Sequence, residues 1–398
     1  MADRSILLCM GTRPEIIKMA PVYHALKQAD LNPRVLHTGQ HDSLAESLYP
    51  FFDMKPDYKF DLSRERNSLG HLFAIKMERL DLLFADLDPS AVLVQGDTSS
   101  ALSGALSAFY HKIPVGHIEA GLRSHKAYQP YPEEKNRELI ARLANWHFAP
   151  TKLAITNLQN EGIKRENCYL VGNTIVDAAN WTLNHINQAS FSLSQEALEI
   201  QDWLGSDDTS QRVVLVTAHR RESWDGQIAE IAEGVRSVAE KYPDLKIIWP
   251  VHPNPVVKNA VHNTMLGLDS GSNRKVWLAE PLNYPDMLYF MQKSWLILTD
   301  SGGLQEEAVT LKKPVLVLRD KTERPEVVSS HAGALIGTSP DVIAGWVDKL
   351  YSSDKEYNQY TKADNPFGDG RASGYIAEIL FNHLVENNTA FNLSTRVM

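Results

Sequence analysis

The sequence predicts an α/β protein with two doubly wound, parallel-sheet domains that face each other across a cleft. Short apolar runs alternate with longer amphipathic stretches along the chain. This alternation is typical of parallel strands that are buried on both faces and connected by helices. The pattern begins again at Val213, so the chain contains two such series.

Eight apolar runs are the predicted strands, four in each half of the chain: Ser5–Met10, Arg34–His37, Ala91–Val94, Val115–Ile118, Val213–Thr217, Lys246–Pro250, Trp295–Thr299 and Pro314–Leu318. The stretches Ile16–Gln28 and Leu69–Leu87 have the apolar spacing of helices and lie between strands of the first series. We therefore expect strand and helix to alternate throughout both domains.

The domain change is predicted near Gly172–Asp177, ahead of the polar segment Ser190–Gln211. A turn-rich segment, Asn365–Arg371, precedes a predicted helix, Ala372–Val385, which we expect to return to the first domain. The predicted domains are therefore residues 1–173 with 370–398, and residues 174–369.

Composition narrows the class of protein. The chain has 398 residues, of which 43% are hydrophobic, and this is enough for a large core. A formal net charge of −9 argues against a nucleic-acid partner. The two cysteines, Cys9 and Cys168, form no metal-binding or disulfide pattern. Neither a secretory leader nor an apolar run of ~18 residues is present, so we expect a cytoplasmic protein without a membrane partner.

Ligands of parallel sheets bind beyond the carboxyl ends of the strands, so the residues there are the candidates for function. After the first strand, Gly11 permits a tight turn and Pro14 suits the start of a helix. The new helix offers backbone N–H groups, and Arg13 and Lys18 add positive charge, so the turn can hold a phosphate or a carboxylate. An ordinary turn with solvated basic residues is the more common explanation of such a pattern alone.

Three acids are expected at one rim of the first sheet. Asp97 and Glu119 follow predicted strands, and Glu133 opens a helix. Clustered carboxylates raise one another's pKa values, which suits general acid and base work near neutral pH. Helix capping is the alternative for Asp97 and Glu133. It explains Glu119 less well, because Glu119 directly follows a buried strand.

The second half supplies a basic cluster and a glycine turn. His219, Arg220 and Arg221 follow a strand, where they are costly unless they meet an anion. Further along, the turn Ser301–Gly303 begins a helix and lets backbone N–H groups approach a diphosphate. Glu307, one turn into that helix, can bond ribose hydroxyls, and Arg324, after the next strand, can reach the same cleft. The alternatives are a solvated helix residue for Glu307 and a surface ion pair for Arg324.

In this order and spacing, the motifs resemble those of the non-hydrolysing UDP-N-acetylglucosamine 2-epimerase family. No single match is decisive, but the ordered set is highly specific. The matching stretches are GTRPEIIKMAP (Gly11–Pro21), TGQH (Thr38–His41), QGDT (Gln95–Thr98), HIEAGLRS (His117–Ser124), YPEEKNR (Tyr131–Arg137), GNTIVDA (Gly172–Ala178), AHRRES (Ala218–Ser223), LTDSGGLQEEA (Leu298–Ala308), TERPE (Thr322–Glu326) and NPFGDG (Asn365–Gly370).

The resemblance implies a glycosyltransferase-B-like fold, a homodimer, and an active site without metal or redox cofactor. It implies catalytic roles for Asp97, Glu119, Glu133 and His219. Leu282 and Met287 stand near the place where the family often packs a phenylalanine on uracil, and methionine can form an apolar platform there. The substrate-binding residues that the resemblance implies are Arg13, Lys18, Asp97, Glu119, His219, Leu282, Met287, Ser301, Gly302, Gly303, Glu307 and Arg324.

The implied reaction converts UDP-GlcNAc and UDP-ManNAc into each other. UDP leaves by anti elimination to give 2-acetamidoglucal and then adds back, and the product supplies precursors for surface polysaccharide. The alternatives are a hydrolysing relative that releases UDP and ManNAc, a glycosyltransferase on the same fold, a nucleotide-sugar-binding regulator without catalysis, and an epimerase for a more oxidised UDP-sugar. The GTRPE form of the first motif favours the non-hydrolysing branch.

Some bacterial members of this family carry a second UDP-GlcNAc as an activator beside the active site. The resemblance implies that this chain keeps most of that site: Gln40, Arg66, His219, Arg220 and Glu222. Ser43 stands where the activated members have a second glutamine. Because a hydroxyl supplies fewer hydrogen bonds than an amide, we expect activation with reduced activator affinity.

Overall fold

The computed structural model describes residues 5–39, 45–62, 68–205, 211–218, 226–271 and 274–386. The chain divides into two compact units, and each contains its own parallel sheet. The first unit comprises Met1–Ala178 and Phe367–Met398, and the second comprises Ala179–Pro366. Within the described stretches, no helix is both long enough and apolar enough to cross a membrane.

The strands of the described residues are β1 (Ile6–Met10), β2 (Pro33–His37), β3 (Tyr58–Lys59), β4 (Ala91–Gln95), β5 (Val115–Ile118), β6 (Trp146–Ala149), β7 (Cys168–Leu170), β8 (Arg212–Thr217), β9 (Leu245–Pro250), β10 (Val276–Ala279), β11 (Leu296–Thr299), β12 (Val315–Val317) and β13 (Gly333–Leu335).

The helices are α1 (Arg13–Gln28), α2 (Leu48–Phe51), α3 (Leu69–Asp86), α4 (Ser99–Tyr110), α5 (Glu133–Leu143), α6 (Lys152–Asn160), α7 (Thr174–Ile186), α8 (Gln195–Leu204), α9 (Gln227–Lys241), α10 (Pro255–Met265), α11 (Tyr284–Lys293), α12 (Gly302–Thr310), α13 (Pro325–Ser329), α14 (Pro340–Ser352), α15 (Asp354–Thr361) and α16 (Ala372–Phe381). A π-helical turn, Asn382–Glu386, follows α16.

Both sheets have the strand order of doubly wound folds. The first runs β3-β2-β1-β4-β5-β6-β7 and the second runs β10-β9-β8-β11-β12-β13, with parallel pairing between all neighbours. The order reverses between β1 and β4, and again between β8 and β11. Ligands of such sheets bind at these switch points, beyond the carboxyl ends of the strands. The predicted α/β class with two parallel sheets is confirmed.

The first sheet is covered on both faces, which explains its continuous apolar strands. Leu7 and Cys9 of β1 belong to a core cluster that includes residues of α3 and α4. Their neighbours Ile6 and Leu8 point to the opposite face, because side chains alternate along a strand. All four residues are fully buried, so neither face of β1 is solvated.

The second unit has its own core. Val214 and Val216 of β8 pack in a cluster with Trp249 of β9 and with apolar residues of α9, α10 and α14. Leu215 lies between the two valines and is also fully buried. The second sheet is therefore covered on both faces as well.

Five strands were not among the predicted runs, namely β3, β6, β7, β10 and β13. Four of them, β3, β7, β10 and β13, are the edge strands of the two sheets. They are two to four residues long. Central strands of similar length, such as β11 and β12, are fully buried and were predicted from their continuous apolar runs. The edge strands are only partly buried, so their burial does not require such a run.

Gly121 lies in the loop after β5, where the backbone of this loop passes close to the backbone of α6. Its φ is +90°, and a Cβ there would lie 2.3 Å from the carbonyl oxygen of Ala154. Gly162 has a similar φ of +83°, but no atom would lie within 4 Å of its Cβ. The two glycines have similar positive φ values and differ in crowding.

We therefore expect Gly162→Ala to lower the free energy of unfolding by about 1 kcal/mol, from backbone strain alone. Gly121→Ala should lower it by about 2–4 kcal/mol, because α6 must also move away. Urea unfolding of the wild type and both variants measures the difference. Equal losses in the two variants would show that the approach to Ala154 is not a constraint.

Candidate active site

Three neighbouring strands carry predicted site residues to one edge of the first sheet. β1 pairs with β4, and β4 pairs with β5. Gly11, Gly96 and Glu119 are the first residues after these strands. A Cβ on Gly96 would lie 3.9 Å from the Glu119 carboxylate, so the turn that leads to Asp97 is close to Glu119.

Glu119 is a buried carboxylate whose hydrogen-bond donors include the side chains of Lys18, Gln95 and Asn173. Lys18 Nζ lies 2.8 and 2.6 Å from its two oxygens. Gln95 Nε2 donates to Oε2, and Asn173 Nδ2 donates to Oε1 at 3.3 Å. The φ of Glu119 is +64°, a left-handed conformation that is unfavourable for glutamate. Such strain persists where surrounding contacts impose it, and it is common at functional sites.

Asp97 accepts hydrogen bonds from a buried arginine of α5. Arg137 Nε donates to Asp97 Oδ2 at 3.0 Å, and Nη2 also bonds this oxygen. Asn136 Nδ2 donates to the Asp97 carbonyl at 2.8 Å. The N-cap of α4 is Thr98, whose side chain accepts the N–H groups of Ser100 and Ala101. Helix capping therefore does not explain Asp97.

The two adjacent glutamates at the start of α5 have different surroundings. Glu134 is fully buried and accepts the N–H groups of Ser124, at 3.0 Å, and His125, at 2.7 Å. Glu133, the predicted acid, is the first residue of α5 and is partly exposed. Glu134 thus holds the loop between β5 and α5, and a catalytic role for Glu133 remains a prediction.

The turn after β1 binds a carboxylate of its own chain. Glu15 Oε2 accepts the N–H groups of Gly11, at 2.9 Å, and Thr12, at 2.7 Å. Thr98 Oγ1 donates to the other oxygen at 2.5 Å. Burial raises the pKa of Glu15, and these hydrogen bonds oppose the rise. The turn was predicted to hold a phosphate or a carboxylate, and the N–H groups of Gly11 and Thr12 hold the carboxylate of Glu15.

The two cations predicted for this turn have different positions. Lys18, in the second turn of α1, is buried and directed at Glu119. Arg13 begins α1 and is partly exposed. Only Arg13 is therefore placed as an exposed cation at the start of the helix.

A buried lysine that the sequence analysis missed lies beside Glu15. Lys76 Nζ donates to Ser99 Oγ at 3.0 Å and to Ser100 Oγ at 2.9 Å, and its charge lowers the pKa of Glu15. One sequence signal could have revealed it, because Lys76 lies in the apolar stripe of α3. The buried residues of that stripe are Leu72, Lys76, Leu80 and Phe84.

In the second unit, a hydroxyl pair fixes the predicted diphosphate turn. Thr217 ends β8 and Thr299 ends β11, and their Oγ1 atoms are 2.6 Å apart. Thr299 Oγ1 also accepts the N–H group of Ser301 at 3.0 Å. α12 begins at Gly302, directly after Ser301, and Gly303 is partly exposed. The Ser-Gly-Gly turn therefore opens a helix at the switch point of the second sheet.

The turn before α13 is tied to α12. Arg324 Nε donates to Glu306 Oε1 at 2.8 Å, with only 12% and 1% of the two side chains exposed. Thr322 Oγ1 donates to Gln305 Oε1 at 3.0 Å. Glu307 is 4% exposed. Glu307 is therefore not a solvated helix residue, and Arg324 does not form merely a surface ion pair.

The remaining predicted residues are divided between buried, partly exposed and undescribed positions. Leu282 is buried, whereas Met287 is partly exposed in the first turn of α11. Within the part of the chain that the structure describes, no three His, Cys, Asp or Glu side chains are grouped so as to hold a metal ion. Predicted residues that lie outside the described residues are His219 and the other proposed activator contacts, Gln40, Ser43, Arg66, Arg220 and Glu222.

The family of the chain follows from comparison with known sequences. The sequence profile described as UDP-N-acetylglucosamine 2-epimerase matches residues 24–381. The chain belongs to this epimerase family. It is 41% identical to the UDP-N-acetylglucosamine 2-epimerase of Yersinia pestis, over 96% of this chain and 99% of that one. It is 40% identical to the enzyme of the same name from Bacillus subtilis, over 96% of both chains.

Solved structures of UDP-N-acetylglucosamine 2-epimerases share the fold. The enzyme from Neisseria meningitidis, bound to UDP-GlcNAc, matches with a TM-score of 0.85 and 37% identity, over 95% of this chain and 100% of that one. The Methanocaldococcus jannaschii enzyme, in complex with UDP-GlcNAc and UDP, matches with a TM-score of 0.76 and 34% identity, over 94% and 98%. The recognised family and its glycosyltransferase-B-like fold are thus confirmed.

Two buried histidines support the first sheet of this epimerase family member. His117 and His147 are register partners on β5 and β6. His117 Nε2 lies 2.8 Å from the Gly96 carbonyl, so this nitrogen carries the proton and donates. Burial lowers the pKa of His117 to about 3 and that of His147 to about 4; Arg123 adds to both shifts.

These shifts predict a loss of stability in acid. The unfolded histidines bind protons below pH ~6.5, whereas the folded ones stay neutral down to about pH 4, so stability falls as the pH decreases. From pH 7.5 to 5.5, each histidine should contribute a loss of about 1.4 kcal/mol in the free energy of unfolding. His147→Gln should reduce the acid-induced loss by that amount in urea unfolding at both pH values. An unchanged loss would contradict the neutral state of His147.

Proposed function

We propose that this chain converts UDP-GlcNAc and UDP-ManNAc into each other without hydrolysing the sugar nucleotide. Its family and the names of its relatives support the substrate. The observation that carries the proposal is the buried pair of Lys18 and Glu119 at the carboxyl end of β5, close to the turn that holds Asp97. Paired carboxylates and a cation at this edge of a parallel sheet suit proton transfer on a bound ligand.

The chemistry explains why such groups are needed. The C2 proton of the sugar is not acidic, so inversion of C2 needs an electron-poor neighbour. Breaking the C1–O bond develops positive charge at C1 and makes the C2 proton easier to remove. A base takes the C2 proton as UDP leaves, and 2-acetamidoglucal forms. A proton that has exchanged with solvent is then added to C2 from the opposite face as UDP adds back to C1. Preorganised cations and N–H groups stabilise the departing diphosphate.

The proposal assigns the proton chemistry to Asp97, Glu119 and Glu133. It assigns the leaving diphosphate to Arg13 and His219. Because Glu15 already occupies the turn after β1, the backbone contacts to the diphosphate are assigned to the Ser-Gly-Gly turn of the second unit. The residues proposed for the nucleotide are Leu282, Met287, Ser301, Gly302, Gly303, Glu307 and Arg324.

Two other functions differ in their products. A hydrolysing epimerase would release UDP and free ManNAc from the same substrate. A regulator that binds the sugar nucleotide would release no product, and it would have no use for the strained, buried Glu119. We favour the non-hydrolysing reaction because the first motif has the GTRPE form. We also propose a cytoplasmic homodimer that supplies ManNAc-type precursors for surface polysaccharide.

The reaction route is tested by isotope exchange. If C2 is inverted by elimination and re-addition, UDP-ManNAc formed in D2O should carry deuterium at C2, and added NAD should not change the rate. NMR of a mixture of the purified protein and UDP-GlcNAc identifies the products. Product that keeps its original hydrogen at C2 would contradict the route, and free ManNAc with UDP would identify the hydrolysing reaction.

The role of Glu119 is tested by Glu119→Gln. We expect turnover to fall by about 10²-fold or more, the usual effect of losing a general acid or base. A matched control is Glu161→Gln. Glu161 is another carboxylate of the first unit, and it forms an ion pair with Arg123. The control should keep near-normal turnover. Thermal unfolding confirms that each variant is folded, and near-normal turnover of folded Glu119→Gln would remove Glu119 from the mechanism.

A further inference from the structure

We propose that Asn173 is a positioning residue for the reaction. It orients the Glu119 carboxylate and connects it to the returning segment, the part of the chain from Phe367 onward that belongs to the first unit. The inference rests on the proposed function and names a residue that this function does not yet use. It arises from two motifs without a chemical role so far, GNTIVDA (Gly172–Ala178) and NPFGDG (Asn365–Gly370).

The side chain of Asn173 has one possible orientation. Its Oδ1 accepts the N–H group of Ile175 at 3.1 Å, and a backbone N–H can only donate. The amide nitrogen must therefore point the other way, where it donates to Glu119 Oε1 at 3.3 Å. Asn173 is 2% exposed, so water does not compete readily for these bonds. The amide thus presents a fixed donor to the carboxylate.

The backbone of Asn173 is attached to the returning segment. Its N–H group donates to the carbonyl of Phe367 at 2.7 Å. The preceding residue, Gly172, has a φ of +91°, and a Cβ there would lie 2.9 Å from the same carbonyl and 3.3 Å from the Gly368 Cα. The two motifs therefore meet backbone to backbone, with Asn173 between them and Glu119.

A second contact clamps the same two segments. Asp177 Oδ2 accepts the N–H group of Ala372 at 3.2 Å, and its Oδ1 accepts that of Ser373 at 2.8 Å. These are the first residues of α16, which packs against α1. Because α1 carries Lys18, two donors to Glu119, Lys18 and Asn173, are both anchored to the returning segment.

The charge around Glu119 gives the proposal a measurable consequence. Among the described groups, Lys18 faces it from α1, and His117 interacts with it from β5. Gln95 and Asn173 are neutral donors, and donors favour the ionised form of a carboxylate. Replacing the Asn173 amide nitrogen with an oxygen removes one donor and places a second negative charge against Glu119.

Asn173→Asp makes this change and keeps Oδ1, which accepts from Ile175. We expect kcat for epimerisation to fall by about 10-fold or more. The acid limb of the pH profile of kcat/KM should move to higher pH by about one unit or more, because two adjacent carboxylates resist ionising together. A purely structural role would lower stability and leave the position of the limb unchanged.

The matched control is Asn157→Asp. Asn157 is another buried amide of the first unit, and its Nδ2 donates to the Gly121 carbonyl at 2.9 Å. This variant should lose stability without moving the acid limb. An acid limb of Asn173→Asp that coincides with that of the wild type, or an equal shift in Asn157→Asp, would overturn the proposal.

Asn173→Ser provides a second test if Asn173→Asp does not fold. A serine hydroxyl can accept from Ile175 but is too short to reach Glu119, so kcat should still fall by about 10-fold. Normal kcat in folded Asn173→Ser would overturn the role of Asn173. Absence of turnover of UDP-GlcNAc by the wild type would instead overturn the proposed function, and the role of Asn173 would fall with it.

Discussion

The ion pair between Lys18 and Glu119 is the interaction on which the candidate site of the first unit depends. Both side chains are almost fully buried, and a buried charge costs several kcal/mol unless it is paired and hydrogen-bonded. The pair therefore requires that α1, the end of β4 and the residue before α7 all deliver their donors to one place. Glu119 has a left-handed backbone, a strain that persists only where surrounding contacts such as these hold it in place.

Other acids at the same edge of the sheet are also placed beside basic side chains. The charge of Lys76 lowers the pKa of Glu15. Asp97 accepts a hydrogen bond from Arg137, which also donates to Glu134. Buried or half-buried acids are thus placed beside basic residues, in a chain whose net charge is −9. The acids stay close together without the repulsion that unpaired carboxylates would suffer. The polar groups beneath the sheet edge therefore support the candidate site.

The sequence predicted the fold well because buried parallel strands leave continuous apolar runs, and it predicted which strand ends carry polar groups. It failed where a contact depends on residues far apart in the chain. The contact of Glu15 with Thr98 is one example. The bonds of Glu15 to the turn after β1 are instead local, and the capping-box pattern of Thr12 and Glu15 could have revealed them. The adjacent acids Glu133 and Glu134 look alike in sequence, yet only Glu134 is fully buried. Edge strands were missed because they are only partly buried, and partial burial does not require a continuous apolar run.

The carboxylate of Glu15 makes two otherwise similar helix starts different. Both sheets begin with the same strand order, and each has a helix that starts at its switch point. Two such helix ends would ordinarily be two interchangeable cradles for a diphosphate. At the first of them, the N–H groups of Gly11 and Thr12 already hold the Glu15 carboxylate of the same chain. The near-symmetry of the two sheets is thereby broken, because one of the two cradles is filled from within by its own helix.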